Sequence, residues 1–358
     1  MRKLESDPKI SRRPVHGVLL LDKPLGLSSN NALQKCKWLL RAEKAGHTGT
    51  LDPLATGVLP LCFGAATKFS QLQLDADKTY EATVRLGVKT STGDAEGEIV
   101  EERPVPLISP ARLAEVAKQF TGPMRQMPPM HSALKKDGKA LYEYARAGEE
   151  VEREPRDIVV RALDLSPAGA NAISLVATVS KGTYIRTLGE DIGEALGCGG
   201  HLTSLRRTAT GHFALAECIP LESLEAMPEE ERLSCLKPVD SLLPDHTRVT
   251  LDADNAGRFL SGLRRRGDWP DSALVAVFSP SPSGGGQGWG LAGSPQSQRL
   301  PPSPPSPRGG RSTDTQPSLQ GGRSIDCLLG TGHIKAGELI PGRLLSPIEI
   351  QQILETAS

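Results

Sequence analysis

Asp52 lies at the centre of the most chemically specific stretch of this 358-residue sequence, GHTGTLDPLATGVLP at 46–60. The proline that follows Asp52 biases that residue toward an extended backbone and removes one amide donor. The glycines of the stretch permit tight turns or a close approach of the backbone to a ligand. A carboxylate held on a constrained loop among apolar side chains is suited to act as a nucleophile or as a base.

A structural turn is the ordinary alternative for this loop, because an isolated Asp-Pro pair in a Gly- and Thr-rich run most often forms a turn that caps the next helix. The length of the motif favours the functional interpretation. Fourteen contiguous positions, HTGTLDPLATGVLP, resemble the active-site signature of the TruB family, the tRNA pseudouridine synthases that modify the T-loop uridine. The resemblance implies that Asp52 is the catalytic carboxylate.

Further segments extend the resemblance in the same chain order, at 17–30, 64–100, 126–148 and 180–211. The similarity covers roughly residues 15–245, with a weaker similarity at the C-terminus. It implies a catalytic domain over 16–245 with the pseudouridine synthase fold, a long mixed or antiparallel sheet with the catalytic cleft across it.

The hydrophobic pattern along the chain agrees with such a sheet. It predicts strands at 17–24, 79–88 and 173–180, and helices at 108–120 and 187–197. Ser28 or Ser29 is placed to cap a helix that runs to about Leu40. Because the strands and helices do not follow a regular βαβ alternation, the pattern predicts an α+β fold.

Residues 246–358 resemble the small PUA-like, β-rich RNA-binding domain at the family's C-terminus. The segment 249–267 indicates an opening helix with a basic tip, 271–278 a strand, and 327–347 a hairpin-like pair of strands. Pro, Gly, Ser and Gln dominate 279–323, which predicts a disordered insertion because it has too little apolar surface to offset the entropy of ordering. A proline-dependent partner site stays open as an alternative. The polar residues 1–15 predict a flexible N-terminus.

Composition narrows the class of protein. Lys and Arg number 42, as do Asp and Glu, so RNA binding must come from local basic patches rather than from net charge. Six scattered cysteines without a CxxC pair disfavour a zinc site and fit a reducing compartment. Neither a secretory signal nor a run long enough to span a membrane is present. We therefore expect a cytoplasmic protein without a metal or a cofactor.

The resemblance also implies roles for residues outside the Asp52 loop. Arg186, within TYIRTL, matches an arginine that pairs with the catalytic carboxylate, whereas a lone arginine is ordinarily a surface residue. Tyr80 matches a tyrosine that stacks on the flipped base and takes part in catalysis, and its ordinary alternative is a core residue of a strand. Tyr184 and Leu205 match residues that line the uracil pocket.

His47 matches a histidine that holds the RNA open around the flipped base; otherwise it is a turn residue. Contacts with RNA phosphates are predicted for Lys23, Lys68, Arg206 and Arg207. For Lys23, which precedes a proline, a structural role beside the active loop is an equal alternative. The remaining cations have solvated surface charges as their ordinary interpretation.

The segment 126–156 matches the thumb that closes on tRNA in the family. Six basic and six acidic residues cancel within it, so this role rests on the resemblance alone. His131 stands where many relatives have tyrosine.

The implied function is the isomerisation of uridine to pseudouridine in the T loop of tRNA, at position 55 in standard tRNA numbering, by base flipping and an aspartate nucleophile. The implied partner is the tRNA T stem-loop, and the implied state is a monomer with no obligatory protein partner. Two alternatives stay open: a guide-RNA-dependent rRNA pseudouridine synthase, and a noncatalytic tRNA-folding or RNA-binding protein. Whether the carboxylate attacks uracil C6 or ribose C1′ also stays open.

Overall fold

A computed structural model of the protein describes residues 11–280 and 326–357. The chain divides between Pro244 and Asp245 into two compact units, one residue from the predicted boundary. Across the described ranges, no helix is long and apolar enough to cross a bilayer.

Over residues 11–244, the first unit contains fifteen strands and six α-helices. The strands are β1 (Gly17–Lys23), β2 (Ala45–His47), β3 (Ala55–Phe63), β4 (Lys78–Leu86), β5 (Val88–Thr90), β6 (Ile99–Glu102), β7 (Gly122–Gln126), β8 (Lys135–Lys136), β9 (Lys139–Ala140), β10 (Arg156–Pro167), β11 (Ala172–Val179), β12 (Gly200–Thr210), β13 (Phe213–Ala214), β14 (Ile219–Pro220) and β15 (Leu236–Lys237). The helices are α1 (Ser29–Leu39), α2 (Ser70–Leu74), α3 (Pro110–Gln119), α4 (Leu141–Arg146), α5 (Ile185–Ala195) and α6 (Leu221–Ala226).

A mixed sheet of eleven strands organises the first unit. Its main path runs β14-β1-β3-β12-β4-β11-β10-β7, and β2, β13 and β15 pair alongside it. The β1–β14 and β3–β12 pairs are parallel, and the other pairs along the path are antiparallel. The predicted α+β class with a long mixed sheet is confirmed.

Local sequence explains where the helices next to the sheet begin. The Ser28 hydroxyl accepts a hydrogen bond from the Asn31 amide at the start of α1, as its N-cap position requires. Ser109 caps α3 in the same way, with Pro110 in the first turn, where a missing amide donor costs nothing. The sequence predicts both helices at nearly these bounds.

Gly57 sets the close approach of β3 to β12. Its φ is +100°, and a Cβ at this position would collide with the backbone of Arg207, its partner in the parallel pair. Only glycine fits such a position without strain. The close pairing places the loop that precedes β3 directly beside β12.

The segment 126–156 leaves the sheet and returns to it at one point. Gln126 at the end of β7 and Arg156 at the start of β10 are opposite each other in the antiparallel pair. Between them lie the short β8–β9 hairpin and α4. The segment is therefore an excursion anchored at both ends by one pair of strands.

The predicted flexible N-terminus is too long. Residues 1–10 lie outside the described part of the chain. Arg13, however, forms a bridge with Ala42, and its amide donates to the Arg41 carbonyl at 2.8 Å. Val15 is buried in the core. Backbone pairing and apolar burial fix Arg13 to Val15, a contact between distant segments that polarity alone does not reveal.

The second unit is built on a five-stranded sheet in the order β16-β18-β19-β20-β17. Its elements are β16 (Thr247–Thr250), α7 (Ala253–Leu260), β17 (Arg265–Arg266), β18 (Ser272–Pro280), β19 (Asp326–Lys335), β20 (Glu338–Leu344) and α8 (Pro347–Ala357). The unit opens with a strand, β16, rather than with the predicted helix. Its PUA-like character stays a prediction.

The predicted insertion begins two residues too early. Ser279 and Pro280 belong to β18, where they pair with Cys327 and Asp326 of β19. The rest of the predicted disordered segment, from residue 281, lies outside the described residues, and its disorder stays a prediction. Because Pro280 and Asp326 are direct partners, the chain between them only has to close a short gap between two antiparallel strands.

We expect that replacing residues 281–323 by a short Gly-Ser linker leaves the second unit folded, because the β18–β19 pairing already fixes both ends. Closure entropy favours the shorter loop by about 0.6 kcal/mol for each halving of its length. The melting temperature of the full chain should be equal to or slightly above that of the unaltered protein.

The control inserts the same linker after Ala336, in the tight turn between β19 and β20. Ala336 has a positive φ there, and its amide donates to the Asp271 carboxylate at 2.7 Å, so an insertion disrupts a turn that is already closed. This variant should melt at a lower temperature. Loss of cooperative folding after the 281–323 replacement would contradict the prediction.

Candidate active site

The loop that carries Asp52 is fastened to its surroundings by hydrogen bonds. The Leu51 amide donates to the Ser29 hydroxyl at 2.7 Å, and that hydroxyl donates to the Leu51 carbonyl at 3.0 Å. The Gly26 amide donates to the Pro53 carbonyl, and the Ala55 amide closes a turn onto the Asp52 carbonyl. Hydrogen bonds from Ser29 of α1, from Gly26 just before it and from Ala55 at the start of β3 therefore fix the loop on both sides of the carboxylate.

Asp52 forms an ion pair with Arg186, as the resemblance implied. The distance from Arg186 Nη2 to Asp52 Oδ2 is 2.9 Å, and the arginine and aspartate side chains are 5% and 39% exposed. The guanidinium also donates to the His131 carbonyl at 2.7 Å and to the Thr92 carbonyl at 3.0 Å. The arginine is thus held almost fully buried, while part of the carboxylate remains open to a ligand.

A second carboxylate, Asp94, lies on the other side of the arginine, and the sequence analysis missed it. Its Oδ2 is 3.6 Å from Arg186 Nε, and its side chain is buried. The Thr92 hydroxyl donates to Asp94 Oδ1 at 2.5 Å, and the Glu96 amide donates to the same oxygen at 3.1 Å. An aspartate within the turn TSTGDAEGE was the available signal, but only the fold brings it to Arg186.

Burial and the neighbouring charges shift the pKa of Asp52 in different directions. Burial raises the pKa of Asp52, Arg186 lowers it, and the negative charge of Asp94 raises it again; the net direction is upward. The close guanidinium is the main group that favours the ionised carboxylate. A reactive carboxylate with an elevated pKa and a cationic partner in a cleft is the arrangement expected of an active site.

Gln126 positions the start of the helix that carries Arg186. Its side-chain amide donates to the Tyr184 carbonyl at 3.0 Å and accepts from the Tyr184 amide at 2.8 Å, and the side chain is buried. Tyr184 directly precedes α5, and its carbonyl also accepts from Leu188 in the first turn. The glutamine therefore fixes the N-terminus of α5 through the backbone amide and the backbone carbonyl of Tyr184. The sequence QMPPM contains no pattern that indicates this role, because the partner of Gln126 lies far away in the chain.

A cavity of about 340 Å³ opens on the ion pair. Asp52, Arg186, Tyr80, Tyr184 and Leu205 all line it, so the fold brings together every predicted catalytic residue and two of the predicted pocket residues. Tyr80 projects from β4, whose neighbours are β11 and β12. The functional roles of these five lining residues stay predictions.

His47 is not among the residues that line the cavity. It lies on β2 opposite Leu61, and its Nδ1 is buried without a hydrogen-bond partner in the described part of the chain. Burial, followed by the charge of Arg207, lowers the pKa of His47. The imidazole is therefore neutral over a wider pH range than a free histidine, and any contact with RNA requires a rearrangement or lies outside this cavity.

Two of the four residues predicted to contact phosphates, Lys23 and Arg207, are buried, which does not support that prediction. Lys23 is 0% exposed, and its ammonium donates to the carbonyls of Pro24 and Leu27. Arg207 is 1% exposed, and its Nε donates to the Val58 carbonyl at 2.7 Å. Both cations are used inside the protein to bind backbone carbonyls, so neither is available to an RNA backbone. Lys23 therefore has the structural role that the sequence left open.

The other two predicted phosphate contacts remain accessible. Arg206 is partly exposed and pairs with Asp22 at 2.7 Å. Lys68 is half-buried at the end of a short turn of 3₁₀ helix. Neither residue lines the cavity around Asp52, so their contacts with RNA stay predictions.

Comparison with known proteins gives the family. A model of the TruB family pseudouridylate synthase N-terminal domain matches residues 37–185, and a model of the tRNA pseudouridylate synthase B C-terminal domain matches residues 186–244. A protein from Verminephrobacter eiseniae named tRNA pseudouridine synthase B is 58% identical over 356 residues, 98% of this chain and 94% of that protein. One of the same name from Ralstonia nicotianae is 60% identical over 260 residues, covering 72% and 82%.

The chain belongs to the TruB family. A solved structure described as a Cbf5-Nop10-Gar1 complex matches this TruB-family protein with a TM-score of 0.55 and 26% identity, over 77% of this chain and 81% of the matched chain. A second, an H/ACA RNP bound to a substrate RNA containing 2′-deoxyuridine, has the same TM-score and coverage at 24% identity and shows likeness of fold alone. The predicted pseudouridine synthase fold is confirmed.

Replacing Asp94 by Asn should slow the chemical step of this TruB-family protein without weakening RNA binding. The change removes one of two carboxylates that hold the buried guanidinium, which costs about 1.5–3 kcal/mol for a charge-assisted contact. Single-turnover rates should fall by about 10- to 100-fold. As a matched control, Thr92→Val removes the hydroxyl that supports Asp94 but keeps the carbonyl that binds Arg186, so its loss should be smaller. A rate within about twofold of native for Asp94→Asn would contradict this role.

Replacing Gln126 by Glu should make activity unusually dependent on pH. An ionised carboxylate at this position cannot donate to the Tyr184 carbonyl, whereas the protonated acid can, so the ratio of variant to native rate should rise as pH falls. Gln126→Leu loses both hydrogen bonds, and each unmet buried group costs about 1–3 kcal/mol. Because leucine does not titrate, the impairment should be the same at every pH. Rates relative to native, measured from about pH 5.5 to 8.5, provide the check. A flat ratio near one for both variants would show that the glutamine does not position α5.

Proposed function

We propose that this protein isomerises uridine to pseudouridine in the T loop of tRNA. The observation that carries the proposal is the Asp52–Arg186 ion pair at a cavity lined by Tyr80, Tyr184 and Leu205. This set supplies one accessible carboxylate, a buried cation to keep it ionised, and aromatic and apolar walls for a base. The names of the relatives from Verminephrobacter eiseniae and Ralstonia nicotianae support tRNA as the substrate.

The reaction requires only one reactive carboxylate. The N1–C1′ bond of uridine breaks, the uracil turns, and a C5–C1′ bond forms; the proton leaves C5 and N1 gains one, so the product is an isomer. No electron is exchanged and no net hydrolysis occurs. Asp52 forms a transient bond either with C6 of the uracil or with C1′ of the ribose, and the side chain serves either route.

Base flipping accounts for the walls of the cavity. A T-loop uridine must leave its stack before its base can reach Asp52, and flipping enzymes hold an extruded base by stacking and edge hydrogen bonds. Stacking on the ring of Tyr80 contributes about 1–3 kcal/mol for a base. Leu205 is buried on the neighbouring strand β12 and supplies an apolar contact. Tyr80 is therefore the stacking residue in this proposal.

A standalone enzyme is favoured over the two alternatives. The likeness to a Cbf5-Nop10-Gar1 complex keeps a guide-RNA-dependent rRNA synthase in view, but the closer similarity is to proteins named for tRNA. A purely noncatalytic RNA-binding role does not require a carboxylate that is paired with a buried arginine at a cavity. We propose a cytoplasmic monomer whose segment 126–156 acts as a thumb on the T stem-loop and which needs no protein partner. Conversion of naked tRNA, without guide RNA, distinguishes a standalone enzyme from a guide-RNA-dependent one.

Asp52→Asn should abolish pseudouridine formation and leave the dissociation constant for tRNA near its native value, because the nucleophilic oxygen is lost while the walls of the pocket remain. Pseudouridine is detected by chemical labelling of the T loop, with a transcript that carries cytidine at the target position as the control. Turnover by Asp52→Asn above about a tenth of the native rate would contradict the assignment of the nucleophile.

The native enzyme should lose activity as pH falls through the pKa of Asp52, because only the ionised carboxylate reacts. Burial raises that pKa above its ordinary value, so the acid limb of the rate profile should lie at a higher pH than a free aspartate would give. Single-turnover rates over about pH 4–7 test this. A profile that stays flat down to about pH 4 would show that Asp52 is not the titrating group.

A further inference from the structure

A second cavity, of about 620 Å³, adjoins the catalytic cavity. The two share the turn formed by Ser180, Lys181 and Gly182. The far side of the second cavity is formed by β7 and by the first residues of β10, at the edge of the large sheet. The two cavities therefore lie on either side of one short turn.

The second cavity carries an excess of positive charge. Three cations line it, Arg125, Arg156 and Lys181, against one carboxylate, Asp157. This local excess stands out in a chain whose formal net charge is zero. Lys181 pairs with Asp75 at 2.7 Å, and Arg125 lies 4.0 Å from Asp157. The side chains of both pairs are more than half exposed, so these ion pairs exchange readily with another anion.

Arg156 differs from the other two cations of the second cavity. Within residues 11–280 and 326–357, its guanidinium takes part in no hydrogen bond or ion pair, although it lies between Glu154 and Asp157 in the sequence. It stands at the base of the segment 126–156, opposite Gln126. Its charge also reaches the catalytic cavity: burial raises the pKa of Tyr184, and Arg156 is among the cations that oppose this rise.

We propose that this second cavity is a phosphate-binding subsite, in which Arg156 and Lys181 contact the RNA backbone next to the nucleotide held at Asp52. The proposal rests on the proposed function, since it takes RNA as the ligand. When a base is flipped into the catalytic cavity, the phosphates on either side of it must cross the rim of that cavity. The turn at 180–182 is part of that rim, and the guanidinium fork of an arginine matches the oxygens of a phosphate.

The subsite also supplies what two of the sequence-predicted contacts cannot. Lys23 and Arg207 are buried and bound to carbonyls, so they do not neutralise phosphate charge. Arg156 and Lys181 are both exposed and lie next to the catalytic cavity. A neutral chain needs such a local patch, because contacts with phosphates supply a large share of the affinity of a protein for a nucleic acid.

The test measures binding without turnover. In the Asp52→Asn background, the dissociation constant for a T stem-loop RNA is determined between about 50 and 200 mM salt, with Arg156→Gln, Lys181→Gln and the double variant. Each lost contact should reduce the slope of log affinity against log salt by about 0.7–0.9, which is about a threefold smaller loss of affinity over this range. The double variant should lose about twice as much slope. Arg112→Gln, an exposed arginine of α3 outside both cavities, is the matched control and should behave as native.

Three results separate the subsite from the proposed function. Native slope and affinity in both single variants, with native conversion of tRNA intact, would overturn the subsite and leave the proposed function standing. Weaker binding with an unchanged slope would also overturn it, because the lost interaction would not be with phosphate. A reduced slope in a protein that converts no tRNA would support the subsite while removing the proposed function. Equal melting temperatures of all variants exclude unfolding as the cause.

Discussion

The buried guanidinium of Arg186 is the constraint on which the rest of the first unit depends. A cation removed from water must have its donors bound and its charge balanced. Its partners are Asp52 before β3, Thr92 and Asp94 in the turn between β5 and β6, and His131 in the segment 126–156. Segments far apart in the chain therefore meet at one side chain. If one of them moves away, a buried charge loses a partner, so the site is formed as a whole.

The same contacts tie the segment 126–156 to the chemistry. Gln126 at its base holds the backbone of Tyr184, and the His131 carbonyl accepts from Arg186. The excursion begins and ends at one pair of strands, and these two attachments add to the β7–β10 pairing in holding it against the site. A movement of the segment on binding RNA would therefore change the hydrogen bond between the His131 carbonyl and Arg186, the arginine that pairs with Asp52. The histidine at position 131 contributes here through its carbonyl, which any residue provides.

Sequence was sufficient for the fold class and for the strands β1, β4 and β11 and the helices α1, α3 and α5 of the first unit, because regular apolar spacing is a local signal. The meeting of Asp52 with Arg186 followed from the resemblance of long motifs. Sequence was not sufficient for Asp94 or Gln126, whose partners lie far away in the chain. It left the role of Lys23 open and misjudged the exposure of Arg207 for a related reason. A long cationic side chain is exposed in most proteins, and only the folded arrangement shows that backbone carbonyls bind these two inside the protein.

Buried lysines have an electrostatic consequence for the site, and Lys23 has a counterpart in Lys78, a buried residue at the start of β4 that lines the catalytic cavity. Lys23 and Lys78 are bound by neutral carbonyls, which satisfy their hydrogen bonds without cancelling their charge. Burial lowers the pKa of each to about 8, so both carry a positive charge at neutral pH and lose it as pH rises through that value. The charge of Lys23 in turn lowers the pKa of Asp52. A reactive carboxylate beside a polyanionic substrate faces repulsion as well as desolvation. Cations that the substrate cannot displace, because they lie inside the protein, oppose both effects without competing for the phosphates that bind outside.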